Sequence, residues 1–411
     1  MIGVSSPGRL PDDPEAGQPS DRPGGRSTWT EIDLAGIDPV TDRPFWIAMS
    51  RVPGIGPVGF GRLLKRYGCA AAAWRAGTDL LAHLPRVAED AELGLRRLQR
   101  EGAAAVAARI VHATQAAGGE VLTALDARYP ASLARLEGRP PVLYARGDLT
   151  ALDAPCVAIV GTRQASGYGR STAAEIADEL ARAGVTVISG LALGIDGEAH
   201  AAALTAGGRS VAVLPSPLDR LYPPRHRGLA EQLIAGDGAL LSELAPGQAA
   251  GRPDFARRNR IIAGLSMAVV VVEAPDHSGA LLTASAAIAY DKELYAVPGP
   301  IDAVRSRGCN RLIADQQAML ITSPAALLQH IGARRGDRPI AVASLSEAEG
   351  RVLNKLLSRS GSIEELMGRT ELATGALASA LTLLEARGLA TSYGGATFHA
   401  TLAARRIGRS T

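Results

Sequence analysis

From Cys156 onward the chain alternates short β-branched runs with stretches of helical periodicity. The runs 156–160, 185–188, 210–214, 239–242, 268–272 and 293–297 read as strands. The stretches near 168–182, 197–206, 228–235, 255–265 and 279–290 read as helices between them. Strands that are apolar on both faces and separated by amphipathic helices predict a mostly parallel, Rossmann-like α/β sheet covered on both sides. Ligands of such sheets collect beyond the carboxyl ends of the strands. Here those ends carry Gly161-Thr162-Arg163, Ser189-Gly190, Glu273 and Pro298-Gly299.

The pattern differs on either side of this block. Residues 44–68 give two short helices joined at Pro53-Gly54-Ile55-Gly56, a turn similar to a helix-hairpin-helix, and an Ala-rich helical stretch runs on to about 118. The amides of such a turn either bind a backbone phosphate or only pack two helices, and Arg51, Lys65 and Arg66 are its nearby cations. After an Arg/Gly/Asp-rich stretch come three helical patterns and two strands turning at Gly394-Gly395, which predict a winged helix. Its third helix has no Lys or Arg before Arg387, which favours protein contact or regulation over reading DNA. The expected organisation is a disordered leader over 1–27, a helix-hairpin-helix or SAM-like helical domain over 40–120, an extended Rossmann-like domain over 121–330, a linker over 331–343 and a winged helix over 344–400.

Composition narrows the function classes. At 411 residues with 46% apolar content the chain can bury two or three domain cores. The Pro/Gly/Asp/Ser-rich first 27 residues lack the apolar stretch of a signal peptide. The densest apolar run, Met267 to Val272, is far shorter than a membrane span. Cys69, Cys156 and Cys309 show no CxxC spacing, which argues against disulfides and zinc and for a cytoplasmic protein without metal or cofactor. A net charge of +3 means that nucleic-acid binding has to rest on a local patch.

Three stretches are candidates for that patch. In "VAIVGTRQASGYGRS", Gly161, Gly167 and Gly169 surround Arg163, Ser166 and Tyr168 between a strand and a helix, an arrangement that offers amides and a helix N-terminus to an anion. It is neither the dinucleotide fingerprint nor a P-loop. Arg163 suits a phosphodiester oxygen or caps a neighbouring helix. In "SGLALGIDGEAHAAAL", Ser189-Gly190 ends a strand, and Asp196 and His200 share a helix face. Without a third ligand or nucleophile nearby, a structural hydrogen bond is the better reading of that pair than an acid–base or metal site. In "RPDFARRNR", four arginines and one aspartate enclose Phe255 and Asn259, joining an aromatic for base stacking to guanidiniums for phosphates. Further on, Ser278-Gly279 after Glu273 makes a second anion-binding turn.

These stretches, with "DRLYPP", "FARRNRIIAGLS", "VVVEAPDHSGALLTA" and "YAVPGPID", resemble the DNA-processing DprA (Smf) family in order and spacing, closely over about 156–316. The resemblance implies a non-enzymatic, cytoplasmic mediator that dimerises, binds and protects incoming single-stranded DNA, and loads the RecA recombinase in natural transformation. It carries over Arg163 and Ser166 in the first loop, Ser189-Gly190 in the second, and Arg258, Asn259 and Arg260 as the family's Arg-Asn-Arg. Arg257 falls at a variable position. With Gly161, Gly167, Tyr168, Phe255, Ser278 and Gly279 these form the expected DNA site, in which Arg163 and Arg258 stand on opposite walls as surface cations, each on its own phosphate. Three departures touch the rim. Leu193 stands where the family often has arginine, Pro215-Ser216-Pro217 replaces a Gly-containing turn, and Asp315-Gln316-Gln317 replaces a Gly-containing end. The alternative is a Rossmann-type phosphoribohydrolase acting on nucleoside monophosphates through Glu273, although the Pro-Gly-Gly-x-Gly-Thr loop of those enzymes is absent.

Overall fold

A computed structural model describes residues 29, 32, 34–84, 89–333, 345–386, 389–393 and 397–400. The expected leader, most of the linker, Arg387 and the Gly394-Gly395 turn lie outside the described residues.

Nine strands form the main sheet: β1 (Glu120–Thr123), β2 (Val142–Gly147), β3 (Cys156–Val160), β4 (Thr186–Ser189), β5 (Ser210–Leu214), β6 (Ala239–Ser242), β7 (Ala268–Val271), β8 (Glu293–Ala296) and β9 (Met319–Leu320). They lie in the order β1-β2-β6-β5-β4-β3-β7-β8-β9. Every pair from β6 to β9 is parallel, while β2 pairs antiparallel with both β1 and β6. The order reverses at β3, whose neighbours β4 and β7 are reached in opposite directions, so a crevice opens beyond the carboxyl ends at that point. The six expected strands occur within a residue or so of their predicted bounds. The sequence reading did not anticipate β1, β2, β9, or the helices Arg307–Ala314 and Pro324–His330.

Both faces of the sheet are covered, which is why its strands read as unbroken apolar runs. Along β3, Val157 and Ile159 face one buried cluster and Ala158 and Val160 another. The helices Gly167–Arg182 and Ile195–Thr205 pack on the first face, and Arg252–Leu265 and Gly279–Ala289 on the second.

The helices Pro39–Met49 and Pro57–Tyr67 form the expected hairpin, turning through Gly54 at φ +80°. Their core residues Trp46, Phe60 and Leu63 share one apolar cluster with Val121, Tyr144 and Ala212 of the sheet. Gly94 packs so tightly on Pro53 that a Cβ would lie 2.6 Å from its Cδ, so the hairpin turn is wedged against the Ala91–Glu101 helix.

Beyond the sheet, the helices Glu347–Ser358, Ile363–Thr370 and Thr374–Ala386 are accompanied by β10 (Gly361–Ser362), β11 (Ala390–Tyr393) and β12 (Thr397–Ala400), an antiparallel sheet in the order β10-β12-β11. The three helices and the β11–β12 pair are those read from the pattern, and β10 is an added strand. They enclose a separate core of Val352, Leu356, Leu366, Leu377, Leu381 and Phe398.

Candidate nucleic-acid interface

The loop after β3 was expected to offer its amides to a phosphate. The structure gives that place to a carboxylate of the chain itself. Ser166 caps the Gly167–Arg182 helix by accepting from Gly169 N–H at 3.0 Å. Its own N–H and hydroxyl donate to the buried Glu273 carboxylate, at 2.9 and 2.5 Å. Gly169 lacks a side chain because a Cβ would lie 2.3 Å from Glu273 Oε2. The carboxylate thus sits at the positive end of the helix dipole, where an anion is favoured. Ser166 and Gly169 therefore build the loop's base, while Gly167 is exposed at the start of the helix. Both carboxylate oxygens of Glu273 accept from Ser166.

What the loop leaves outward is Arg163. Its guanidinium is exposed and lies 5.0 Å from the Phe255 ring centroid, within cation–π range. Phe255 meets Tyr222 edge to face, at 5.5 Å and 88°. These groups, with Gly190, Ala192, Leu193, Pro215, Pro223 and Arg258, line a cavity of about 80 Å³ open to solvent at the carboxyl ends of β3, β4 and β5. Arg163, Gly190, Phe255 and Arg258 are thereby brought together, as the sequence reading supposed.

Arg258 does not fit the role of a surface cation. Only 7% of it is exposed, and its guanidinium donates to Gly190 O at 2.6 Å, to Val213 O, and to Asn259 Oδ1 at 3.1 Å. Burial lowers its pKa to about 10; the nearby Asp196 acts to raise it and Arg163 to lower it further. Gly190 accommodates it by having no Cβ, which would lie 2.2 Å from the guanidinium nitrogen. Arg258 therefore ties the loop after β4 to β5 beneath the cavity floor.

Its neighbours diverge. Asn259 is buried and donates to Gly279 O at 3.0 Å. Arg260 turns to the opposite side, pairing with Glu243 at 2.5 Å. Arg257 is half exposed and pairs with Asp254 at 3.4 Å. Ser189 is fully buried, with its hydroxyl donating to Ile159 O, so it is unavailable to a ligand. Ser278 caps its own helix by accepting from Ala280 N–H, and neither it nor Gly279 lines the cavity. Tyr168 donates to Pro298 O at 3.0 Å, outside the cavity lining.

Asp196 and His200 are structural, as the sequence favoured. Asp196 accepts from Gly190 N–H. His200 is fully buried; Nε2 accepts from Leu191 N–H at 3.3 Å, while Nδ1 lies 2.7 Å from the Ser210 hydroxyl, which itself donates to Val187 O. Ser210 has only lone pairs left for the ring, so Nδ1 carries the proton and the imidazole is neutral. Burial, reinforced by His226 and Arg258, lowers its pKa to about 3. No group of three or more His, Cys, Asp or Glu among the described residues is arranged to hold a metal.

The sequence reading missed Tyr222 and Pro223 as cavity walls. The signal was present in "DRLYPP", whose aromatic precedes two prolines in a polar loop. Tyr222 is 45% exposed, an aromatic face available for stacking.

Comparison with known proteins agrees with the fold. Residues 120–332 match the family model described as DNA recombination-mediator protein A, and 41–109 match the DprA-like N-terminal HHH domain. A Mycobacterium tuberculosis protein assigned as DNA processing protein DprA is 35% identical over 385 residues, covering 86% of this chain and 93% of that protein. Protein Smf of Synechocystis is 37% identical over 300 residues, covering 71% of this chain and 73% of that protein. The crystal structure of DNA processing protein A from Streptococcus pneumoniae superposes with a TM-score of 0.60 at 29% identity, covering 70% of this chain and 97% of that one.

Proposed function

Because the chain belongs to the DprA (Smf) family of DNA recombination-mediator proteins, we propose that it binds single-stranded DNA in the Arg163–Phe255–Tyr222 cavity and acts as a mediator, not as an enzyme. It protects incoming strands and passes them to the RecA recombinase in natural transformation. It works in the cytoplasm as a homodimer. The 345–400 elements serve as a winged helix that contacts protein.

One observation carries this reading. An exposed guanidinium lies over one aromatic ring, and a second, half-exposed ring stands edge-on beside it, at the mouth of a cavity with no described carboxylate in its lining. Guanidinium and aromatic together suit a strand whose phosphates and unstacked bases are both accessible. Duplex DNA hides its base faces and would use only the charge. Among the described residues no helix is long and apolar enough to cross a membrane.

The test is a salt titration of binding to single- and double-stranded oligonucleotides of equal length. Tighter binding to the single strand, with affinity falling as salt rises, is the expected outcome. Equal affinity for both forms, or release of free base from nucleoside monophosphates, would sink the proposal.

A further inference from the structure

The cavity has two walls that come from different parts of the chain. One is the loop after β4, contributing Gly190, Ala192 and Leu193; the other is Tyr222-Pro223. Most of the hydrogen bonds that hold the first wall come from behind it. Asp196, Gly197 and His200, on the helix that follows, bind Gly190 N–H, Ala192 O and Leu191 N–H. Arg258 holds Gly190 O. None of these reaches the second wall.

His226 does. Its Nδ1 lies 2.9 Å from Leu191 O. A carbonyl oxygen only accepts, so this nitrogen carries the proton and donates. The backbone N–H of His226 donates to Pro223 O at 3.0 Å. Two hydrogen bonds therefore run in series from Pro223 through His226 to Leu191, one wall to the other. Leu191 needs such holding, since its φ of +55° is a left-handed conformation that leucine adopts only when its surroundings impose it. Room for the imidazole is provided by Gly197, where a Cβ would lie 2.5 Å from His226 Cε1.

Resting on the single-strand reading above, we propose that His226 is a positioning residue for DNA. By clasping the Leu191 peptide it fixes the spacing between the Leu193 wall and the Tyr222-Pro223 wall, and so keeps the cavity at the width of a strand. It touches no phosphate itself.

The test compares His226→Ala, His226→Asn and Gly197→Ala in the full chain, using a fluorescent oligothymidine across a salt series, with deuterium exchange over 190–194 as a second readout. Asparagine places its amide where Nδ1 stands, so it should hold Leu191 O and bind within about twofold of the parent. Alanine at 226, and the methyl at 197 that displaces the ring, should each weaken binding by roughly 3- to 10-fold, one hydrogen bond's worth. Both should speed exchange over 190–194 and keep the parental salt slope. If alanine at 226 unfolds the chain, His226→Gln replaces it; its amide falls at the Nε2 position, and it should bind weakly where asparagine binds well. The clasp is overturned if a folded alanine variant binds at full affinity. It is also overturned if the salt slope flattens by about 0.7 and asparagine fails to rescue, since His226 would then be a phosphate contact. A parent chain that binds no oligothymidine would instead overturn the single-strand reading itself, and the first measurement separates the two failures.

Discussion

Arg163 and Arg258 line one cavity, yet Arg163 is exposed whereas Arg258 is buried, with its Nε and Nη1 donors already committed to the chain. The guanidinium of Arg258 is taken up by Gly190 O, Val213 O and Asn259 Oδ1, beside the buried Asp196. Removing it leaves two carbonyls and a carboxyl without their cation, a class of change that costs about 3–5 kcal/mol. Arg258→Ala should therefore lower stability by that order in urea denaturation, and its weaker DNA binding should track the unfolded fraction. Arg163→Ala should leave the urea midpoint unchanged, weaken single-strand binding about 10-fold or more, and flatten the salt slope by about 0.7. A different residue-scale strain sits at Gln316, whose φ is +56° at a site where the family usually has a glycine-containing end. A left-handed non-glycine residue costs about 1 kcal/mol, so Gln316→Gly should raise stability by up to that amount, read from the urea midpoint. No change would mean that Gln316 makes compensating contacts.

At the scale of elements, the helix Ile195–Thr205 carries the clearest pH dependence. His200 is held neutral, with a pKa of about 3 in the fold against 6.5 as the ordinary value. Between those values the unfolded chain takes up the proton and the folded chain does not, so stability falls as pH drops through this window and levels off above it. The slope approaches about 1.4 kcal/mol per pH unit for one group. His200→Gln, whose Oε1 can accept from Leu191 N–H, should remove that slope from thermal unfolding measured between pH 4 and 7; an unchanged slope would assign it to other groups. Elements also decide what could be read from sequence. The parallel strands were legible because burial on both faces makes them continuous apolar runs, as in Cys156–Val160 and Ala268–Val271. The strand β1 at Glu120–Thr123 is set by antiparallel pairing to β2, and the two-residue β9 is too short for any period. The arginine cluster was legible as a cluster but not in its directions. Successive helix residues turn by about 100°, so Arg257 points to solvent, Arg258 and Asn259 inward, and Arg260 to Glu243. Likewise, an anion-binding helix start cannot reveal that its anion is Glu273, over a hundred positions away in the chain.

The whole molecule has two ends that differ in how they are joined to the sheet, and this decides which can be removed. Trp46, Phe60 and Leu63 of the N-terminal helices share their apolar cluster with Val121, Tyr144 and Ala212, so deleting those helices would strip one face of the sheet and expose its core to water. The C-terminal elements bury Val352, Leu356, Leu377 and Phe398 among themselves, and no residue of the nine-stranded sheet belongs to that cluster. Their charge also argues against a direct hold on DNA: residues 346–386 contain four Lys or Arg against six Asp or Glu. The helix Thr374–Ala386, which would have to enter a groove, has no basic residue. A chain lacking 340–411 keeps Leu327, Leu328 and Ile331, which complete the packing against the sheet. It should therefore unfold at the parental urea midpoint, bind single-stranded oligonucleotides within about threefold of the parent, and keep the parental salt slope, because Arg163 and its cavity are retained. Tenfold weaker binding, about 1.4 kcal/mol, with the urea midpoint unchanged, would show that the C-terminal elements hold DNA through a surface other than that helix, and would overturn their assignment to protein contact.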